Sequence, residues 1–330
     1  MSMAIMIHYR AMRICIFGAG AVGGHIAARL AAAGNDVSVV ARGAHLQAMR
    51  SRGLKLLHGD ETILGRVRAA ETARELGQQD AVFVTLKANL LPAFAEQAPA
   101  LLGSATAVVF VQNGIPWWYD ARLTRLDPDG RLARAVAPER IVGGVAYSAN
   151  EIVEPGVIEN HVPGNNMIVI GRADRAETPL VQRLRQALEQ AGMSSPPLED
   201  IRQSIWSKLA QNLWTSTLCT LTGCTLRELQ DYPELKAVAA RATEEAGAIA
   251  RALGVALERA PQRPSGKASS GAAHKPSMLQ DYERGRPMEV EAQLLAPLEL
   301  ARMEKVHTPV LDIVVPLVAA KAAAKGLFTH

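Results

Sequence analysis

The chain has 330 residues, of which 48% are hydrophobic and 21% charged, and its formal net charge is +4. This length exceeds what one ordinary hydrophobic core holds, so we expect two domains. The positive charge comes from arginines scattered along the chain, and no basic stripe with interleaved aromatic residues is present. This pattern argues against nucleic-acid binding and suits a small anionic ligand.

The first predicted element is a short apolar strand, residues 12–17, which leads into a glycine-rich turn and then a helical pattern that stops at residues 34–35. A second strand is predicted at 37–41. Strand, G-x-G-x-x-G and helix in this order form the dinucleotide-binding fingerprint. We predict that this turn binds the cofactor and holds its pyrophosphate at the helix N-terminus. The turn consists of Gly18, Ala19, Gly20, Ala21, Val22 and Gly23. A purely structural glycine turn is the alternative.

The end of the second strand indicates which dinucleotide binds. NAD sites place an Asp or Glu there for the ribose hydroxyls, whereas this chain has Ala41 and Arg42. A guanidinium suits a 2′-phosphate, so the sequence predicts NADP. A surface arginine without a ligand is the alternative reading of Arg42.

Two buried strands, at residues 81–86 and 107–111, lead into polar residues. Ligands of open α/β sheets bind beyond the carboxyl ends of the strands. We therefore expect Lys87 and Asn113 to face the cofactor crevice. Asn113 precedes Gly114, and Asn-Gly is also a common turn pair, so a structural role for this asparagine remains open.

The remaining patterns of the first half complete a Rossmann-type α/β domain, for which we set the bounds 1–197. They predict a hairpin at 54–57 and 62–67, and a helical patch at 116–123. Strands at 141–148, 157–161 and 167–170 extend the sheet in antiparallel fashion. A helix at 179–192 and a linker at 194–197 follow.

The second half, 198–330, contains no convincing strand and is predicted to be an all-α domain. Helical patterns cover 200–222, 233–253, 288–305 and 308–325, and a proline- and glycine-rich loop covers 259–277.

The first helix of that half carries a single lysine, Lys208, in a run otherwise apolar or small and polar. Asn212 and Ser216 follow it at four and eight residues, so all three share one helix face. Burying an ammonium destabilises its charged form, which is how a protein obtains a lysine that gives up a proton near neutral pH. The alternative is a lysine whose stem lies on the core while its ammonium reaches solvent.

These motifs together resemble the ketopantoate reductases (2-dehydropantoate 2-reductases). The shared elements are GAGAVG at 18–23, LKA at 86–88, QNG at 112–114, WSKLAQN at 206–212 and KPSMLQD at 275–281, with Glu289 twelve residues after Ser277. The resemblance implies a Rossmann domain followed by a helical domain like the C-terminal part of 6-phosphogluconate dehydrogenase, with the active site between them. It also implies NADPH-dependent reduction of 2-dehydropantoate to (R)-pantoate, a step toward pantothenate and coenzyme A.

The resemblance also assigns roles. Lys208 corresponds to the general acid and Glu289 to an active-site carboxylate close to the cofactor. Lys87 and Asn113 would lie beside the nicotinamide end of NADPH and the substrate, whereas Asn212, Ser216 and Ser277 would contact the substrate. For Glu289, ordinary stabilisation of a helix N-terminus is the alternative.

Two positions depart from the family pattern. Ser216 and Thr217 stand where the family usually has Asn-Pro, and residues 293–295 read Gln-Leu-Leu where an Asn-Gly pair is frequent. A hydroxyl offers fewer contacts than an amide, which leaves open a reductase for another 2-oxo acid or for an imine. A non-catalytic NADP-binding redox sensor is the rival from another class.

The other expectations concern cellular context. Cys15, Cys219 and Cys224 are odd in number and lack metal-ligand spacing, so we expect a cytoplasmic protein with reduced thiols and no metal. The first twelve residues run directly into the first strand and are read as an extended start. Residues 310–324 are too short and too polar to span a bilayer. Small residues in the helical half are compatible with a homodimer.

Overall fold

The computed structural model describes residues 11–261 and 275–329. The expectation about the extended start, and most of the loop predicted at 259–277, therefore lie outside the described residues.

Eleven strands are described, all before residue 173. They are β1 (Arg13–Phe17), β2 (Asp36–Val40), β3 (Leu54–His58), β4 (Glu61–Gly65), β5 (Arg68–Ala70), β6 (Gln79–Val84), β7 (Leu102–Val111), β8 (Ile141–Ala146), β9 (Asn150–Glu154), β10 (Val157–Asn160) and β11 (Ile168–Arg172). Five α-helices accompany them: α1 (Ala21–Ala32), α2 (Gly43–Arg52), α3 (Leu91–Gln97), α4 (Arg131–Ala135) and α5 (Pro179–Gln190).

The central sheet has seven strands in the order β11-β8-β7-β6-β1-β2-β5. Neighbours are parallel except for β11, which runs antiparallel to β8. Phe17 is in register with Val40 on one side and Val84 on the other, so the carboxyl ends of these strands lie at one edge. The predicted Rossmann-type sheet is confirmed. Of the strands expected to extend it in antiparallel fashion, β11 does so, whereas β8 pairs with β7 in parallel.

A second sheet of four strands, in the order β4-β3-β10-β9, packs against α1. The predicted hairpin is its β3–β4 pair. The prediction that residues 157–161 extend the central sheet is wrong, because β10 pairs with β3 and β9. The close packing depends on small residues of α1: a Cβ at Gly24 would lie 2.8 Å from the side chain of Ile158.

The helix predicted at 116–123 is also wrong, because this segment forms consecutive turns. The carbonyl of Pro116 accepts a hydrogen bond from the N–H of Tyr119 at 3.0 Å. The side chain of Asp120 accepts from the N–H of Arg122 at 2.9 Å, and such local bonds compete with helix formation.

The described part of the C-terminal half contains helices joined by turns and no strand, as predicted. Its helices are α6 (Ile201–Thr222), α7 (Pro233–Ala252), α8 (Ser277–Glu283), α9 (Ala296–Met303) and α10 (Leu311–Ala324). The apolar side of α6, including Trp206 and Leu213, is buried in one core with Val145 and Val169 of the sheet. Along the described residues no helix combines the length and apolarity needed to cross a membrane.

The single helix predicted at 288–305 is interrupted. A π-helical turn, Glu291–Leu295, precedes α9. Pro297 lies in the first turn of α9. Proline lacks the N–H that would bond the carbonyl four residues earlier. The irregular turn thus accompanies a proline inside the helical pattern.

Candidate active site

The glycine turn after β1 has the shape that a dinucleotide needs. A Cβ at Gly23 would lie 2.4 Å from the Gly18 carbonyl oxygen and from Thr85 Oγ1, so this position admits no side chain. A Cβ at Gly20, in contrast, would meet no atom of the described residues within 4 Å. Gly20 is the N-cap of α1, and because it has no side chain, the first N–H groups of the helix have no side-chain cap. Open space beside uncapped N–H groups is what a pyrophosphate requires.

Neighbouring side chains hold this turn in place. Thr85, which follows β6, donates its hydroxyl to the Gly18 carbonyl oxygen at 2.6 Å. His45 Nδ1 accepts from the N–H of Gly156 at 2.8 Å, so its Nε2 carries the proton and donates to the Ala19 carbonyl oxygen at 2.8 Å. Burial lowers the pKa of His45, which keeps this ring neutral and its tautomer fixed.

Arg42 stands two residues beyond β2, at the N-cap of α2, and its side chain is exposed. This is the position where the ribose of a dinucleotide bound at the glycine turn is recognised in Rossmann domains. The residues present therefore fit a bound dinucleotide, and a guanidinium at this point fits a 2′-phosphate.

Lys87 connects the two lobes. Its ammonium donates to Asp281 of α8 at 2.6 Å and to the carbonyl oxygen of Pro287 at 3.0 Å. The lysine side chain is one-third exposed, whereas that of Asp281 is buried. Lys87 therefore lies beyond the carboxyl end of β6, as predicted, and contacts the helical half directly from there.

Lys208 lies on α6 and reaches the same edge of the sheet. Its ammonium donates to the carbonyl oxygen of Ala146, the last residue of β8, at 2.5 Å. It also lies 5.8 Å from the ring centre of Tyr147, within cation–π range. Tyr147 in turn donates its hydroxyl to the carbonyl oxygen of Ser204, which fixes the ring against α6.

Asn212, one turn beyond Lys208, begins a chain of polar contacts that ends in the first lobe. Its Nδ2 donates to Gln293 Oε1 at 3.5 Å, and Gln293 Nε2 donates to Glu289 Oε2 at 3.3 Å. The other oxygen of Glu289 accepts from the backbone N–H of Ala88 at 3.1 Å. Glu289 is thus linked to the lysine helix through Gln293.

Glu289 has an unusual environment for a carboxyl. Burial raises its pKa, an effect that the Ala88 N–H, the charge of Lys87 and the amide of Gln293 oppose and that the charge of Asp281 reinforces. A cavity of about 320 Å³ opens beside it, lined by residues 88–89, 125–126, 287–289, 291–292 and 326–329. A carboxyl with a raised pKa beside open space between two lobes is a typical feature of functional sites.

Asn113 is half-buried and directly precedes a tight backbone contact between the two lobes. A Cβ at Gly114 would lie 2.3 Å from the carbonyl oxygen of Ala292, which accepts the N–H of Ile115 at 2.8 Å. Gly114 has φ +81°, which a side chain also disfavours. Only glycine therefore fits after Asn113.

The two predicted serines differ. Ser216 is 2% exposed, on α6 one turn beyond Asn212. Ser277 is the exposed first residue of α8, the helix that carries Asp281. Lys208, Asn212 and Ser216 share one helix as predicted, and their roles toward a ligand stay predictions.

Sequence reasoning did not assign roles to three contacts of this region: Gln293, Asp281 and His45. In the sequence, Gln293 stands out only as a departure from the family pattern, and Asp281 only as part of the SMLQD motif. For His45 no sequence signal was available, because its partners lie 26 and 111 residues away along the chain.

Comparison with known proteins identifies this arrangement. The family model described as "Ketopantoate reductase PanE/ApbA" matches residues 14–175, and "Ketopantoate reductase PanE/ApbA C terminal" matches residues 200–322. The 2-dehydropantoate 2-reductase of Mesorhizobium japonicum is 41% identical over 328 residues, which cover 96% of this chain and all of that protein. The chain belongs to the ketopantoate reductase family.

Solved structures agree with this assignment. A Ralstonia solanacearum protein assigned to the ketopantoate reductases is 34% identical, with a TM-score of 0.86 over 97% of this chain and all of the other. 2-Dehydropantoate 2-reductase from Geobacter metallireducens is 27% identical, with a TM-score of 0.81 over 93% of this chain and 99% of the other. D-mandelate dehydrogenase, at 21% identity and a TM-score of 0.80 over 96% of this chain and all of the other, shares the fold.

Membership of the ketopantoate reductase family makes the chain an oxidoreductase of a dinucleotide-dependent family. Within residues 11–261 and 275–329, no group of three or more His, Cys, Asp or Glu side chains is arranged to hold a metal ion.

Proposed function

We propose that this protein reduces 2-dehydropantoate to (R)-pantoate with NADPH, as a step toward pantothenate and coenzyme A. The observation that carries the proposal is the position of Lys208: its ammonium lies at the carboxyl end of β8, on the sheet edge that also presents the glycine turn and Lys87. The 41% identity to a 2-dehydropantoate 2-reductase over nearly the whole chain supports the same reaction. Arg42 supports NADPH over NADH.

The reduced nicotinamide, when bound, supplies the hydride. The ketone oxygen of the substrate then needs a proton, and Lys208 is the group that donates it. An ammonium has three N–H donors on a flexible stem. One can remain on the Ala146 carbonyl while another faces the substrate oxygen and stabilises its developing negative charge. The lysine is reprotonated from solvent after each turnover.

Other residues orient the substrate. Asn212 lies one turn from Lys208, so its amide can hydrogen-bond a substrate held by the ammonium. Asn113 precedes the tight contact of the two lobes and is proposed to face the nicotinamide and the substrate. Glu289 contacts Ala88, adjacent to Lys87, and is proposed to position cofactor and substrate. Ser277, at the start of α8, is proposed to bind the substrate carboxylate.

The direct test is a spectrophotometric assay of NADPH oxidation with 2-dehydropantoate. The proposal requires turnover with NADPH well above that with NADH. Absence of NADPH oxidation with 2-dehydropantoate, at enzyme concentrations that bind NADPH, would refute it.

A second candidate is the reduction of a different 2-oxo acid or of an imine by the same residues. Ser216 favours this alternative, because a buried hydroxyl stands where the family usually has an asparagine amide. Specificity constants for a panel of branched 2-oxo acids, measured beside 2-dehydropantoate, separate the two. A non-catalytic redox sensor would oxidise NADPH with none of them.

A further inference from the structure

Gln293 connects the two groups, Glu289 and Asn212, to which the proposed function gives separate roles. It is 2% exposed and lies in the π-helical turn. Its amide oxygen accepts from Asn212 at 3.5 Å and its amide nitrogen donates to Glu289 at 3.3 Å. The motifs that identify the family do not include this glutamine.

The ionisation of Glu289 determines the direction of both hydrogen bonds. An ionised carboxylate only accepts, so the NH₂ group of Gln293 must face it. The amide oxygen of Gln293 then faces Asn212, which has to present its own NH₂ group. The oxygen of Asn212 is left for a ligand. The arrangement in the structure is this one.

Protonation of Glu289 favours the opposite direction. A carboxyl that keeps its Ala88 contact on one oxygen can donate its proton from the other. Gln293 then turns its oxygen toward Glu289 and its NH₂ group toward Asn212. The oxygen of Asn212 must then accept the hydrogen bond from Gln293, so the NH₂ group of Asn212 becomes available to the ligand.

We infer that Gln293 is a positioning residue that couples the ionisation of Glu289 to the side of the Asn212 amide that faces the substrate. The inference rests on the proposed function for the roles of Glu289 and Asn212. A ketone oxygen only accepts hydrogen bonds, whereas the hydroxyl of the product can also donate one. We call Glu289, Gln293 and Asn212 the relay. Its two states match the two oxidation states of the ligand: protonated Glu289 favours the 2-oxo acid, and ionised Glu289 favours the 2-hydroxy acid.

The charges around Glu289 determine the pH at which its carboxyl changes from protonated to ionised. Lys87 favours the ionised form and Asp281 the protonated form. Arg125 and Glu291 line the same cavity, and Arg125 forms ion pairs with Glu291, at 2.5 Å, and with Glu299. Lys208 lies one helical turn from Asn212, at the other end of the relay.

The first test compares Gln293→Met with the unaltered protein. Methionine keeps the volume but has no amide. With saturating NADPH or NADP, the ratio of the KM for the 2-oxo acid to that for the 2-hydroxy acid is measured as Glu289 titrates. We expect this ratio to rise about tenfold with pH in the unaltered protein, the effect of about 1.4 kcal/mol in one hydrogen bond. In Gln293→Met the change is expected to fall below about twofold.

The matched control is Gln203→Met, which removes another buried glutamine of the helical lobe from the first turn of α6. It should keep the pH-dependent ratio of the unaltered protein. A Gln293→Met protein with that same ratio profile would overturn the inference while leaving the proposed function intact. If Gln293→Met does not fold, Gln293→Leu replaces it, because leucine is also apolar and has no group that donates or accepts a hydrogen bond.

A second measurement does not depend on activity. In protein labelled with ¹⁵N-glutamine, the side-chain NH₂ signals of Gln293 should shift with pH, and Glu289→Gln should abolish that titration. A titration together with no reductase activity would refute the proposed function and retain the relay. Signals that do not respond to pH would refute the relay, whatever the enzyme does.

Discussion

Lys208 of the helical lobe donates a 2.5 Å hydrogen bond to the carbonyl oxygen of Ala146, the last residue of a strand in the other lobe. This contact gives the ammonium a fixed place at the sheet edge where Rossmann domains bind their ligands. Lys208 thus joins the helical lobe to the carboxyl end of β8.

Replacing Lys208 by alanine should lower kcat at least about 10²-fold, because general acid catalysis contributes about 10²- to 10⁴-fold. NADPH affinity, measured by fluorescence titration, should remain close to that of the unaltered protein. Lys236→Ala, which removes an exposed lysine of α7, is the control and should leave kcat unchanged. Full turnover in the Lys208→Ala enzyme would contradict its role as the proton donor.

Arg42→Ala should weaken NADPH binding about 10- to 100-fold, the range expected for losing a charge-assisted hydrogen bond of about 1.5–3 kcal/mol. NADH binding should change little, because NADH has no 2′-phosphate. Dissociation constants for both dinucleotides measure the effect. Arg134→Ala, at an exposed position of α4, is the control. Equal losses for NADPH and NADH would argue against recognition of the 2′-phosphate by Arg42.

The glycines of the dinucleotide turn should respond differently to alanine. Gly23→Ala should destabilise the fold by about 1–3 kcal/mol, because its Cβ would lie 2.4 Å from two oxygen atoms. Gly20→Ala should fold with nearly unchanged Tm, since its Cβ meets no described protein atom within 4 Å. It should nevertheless weaken NADPH binding by occupying the space of the pyrophosphate. Thermal unfolding and NADPH titration of both variants distinguish these effects. Unimpaired NADPH binding by Gly20→Ala would place the cofactor elsewhere.

Glu289→Gln should stabilise the protein at neutral pH while lowering its activity. Burial raises the pKa of Glu289 in the folded state, so the folded protein binds this proton more tightly than the unfolded chain does. Stability is therefore full below the ordinary glutamate range and falls as pH rises through the raised folded-state pKa. Glutamine keeps an oxygen for the Ala88 N–H and carries no charge.

The difference in Tm between Glu289→Gln and the unaltered protein should be greatest at neutral pH and vanish in acid. Glu234→Gln, an exposed carboxylate in the first turn of α7, is the control and should show no such trend. A Tm gain that persisted unchanged into acid would show that the ionisation of Glu289 is not its source.

Turns, single strands and single helices can be predicted from short stretches of the sequence. The sequence predicts the glycine turn, the strands leading into Lys87 and Asn113, and the helix with Lys208 and Asn212, because each depends on about 20 consecutive residues. Pairing between distant segments has no comparable signal. β10 has strand character, but only its partners β3 and β9 place it outside the central sheet.

In the candidate site, too, contacts between distant residues could not be predicted from the sequence. Lys87 was expected at the sheet edge, yet its pairing with Asp281 joins residues 194 positions apart. Gln293 differs from the family pattern, which marks it as unusual but does not predict its contacts. Its contact with Glu289 has the i, i+4 spacing of a helix, whereas its bond to Asn212 joins residues 81 positions apart, for which local periodicity gives no signal.

The approach of Gly114 to Ala292 has a mechanical consequence. Two backbone segments from opposite lobes meet there with no side chain between them, and Arg125 adds ion pairs to Glu291 and Glu299 on the same side. Gly114 thus sets how closely the two backbones approach, and a larger residue there has to push the two segments apart.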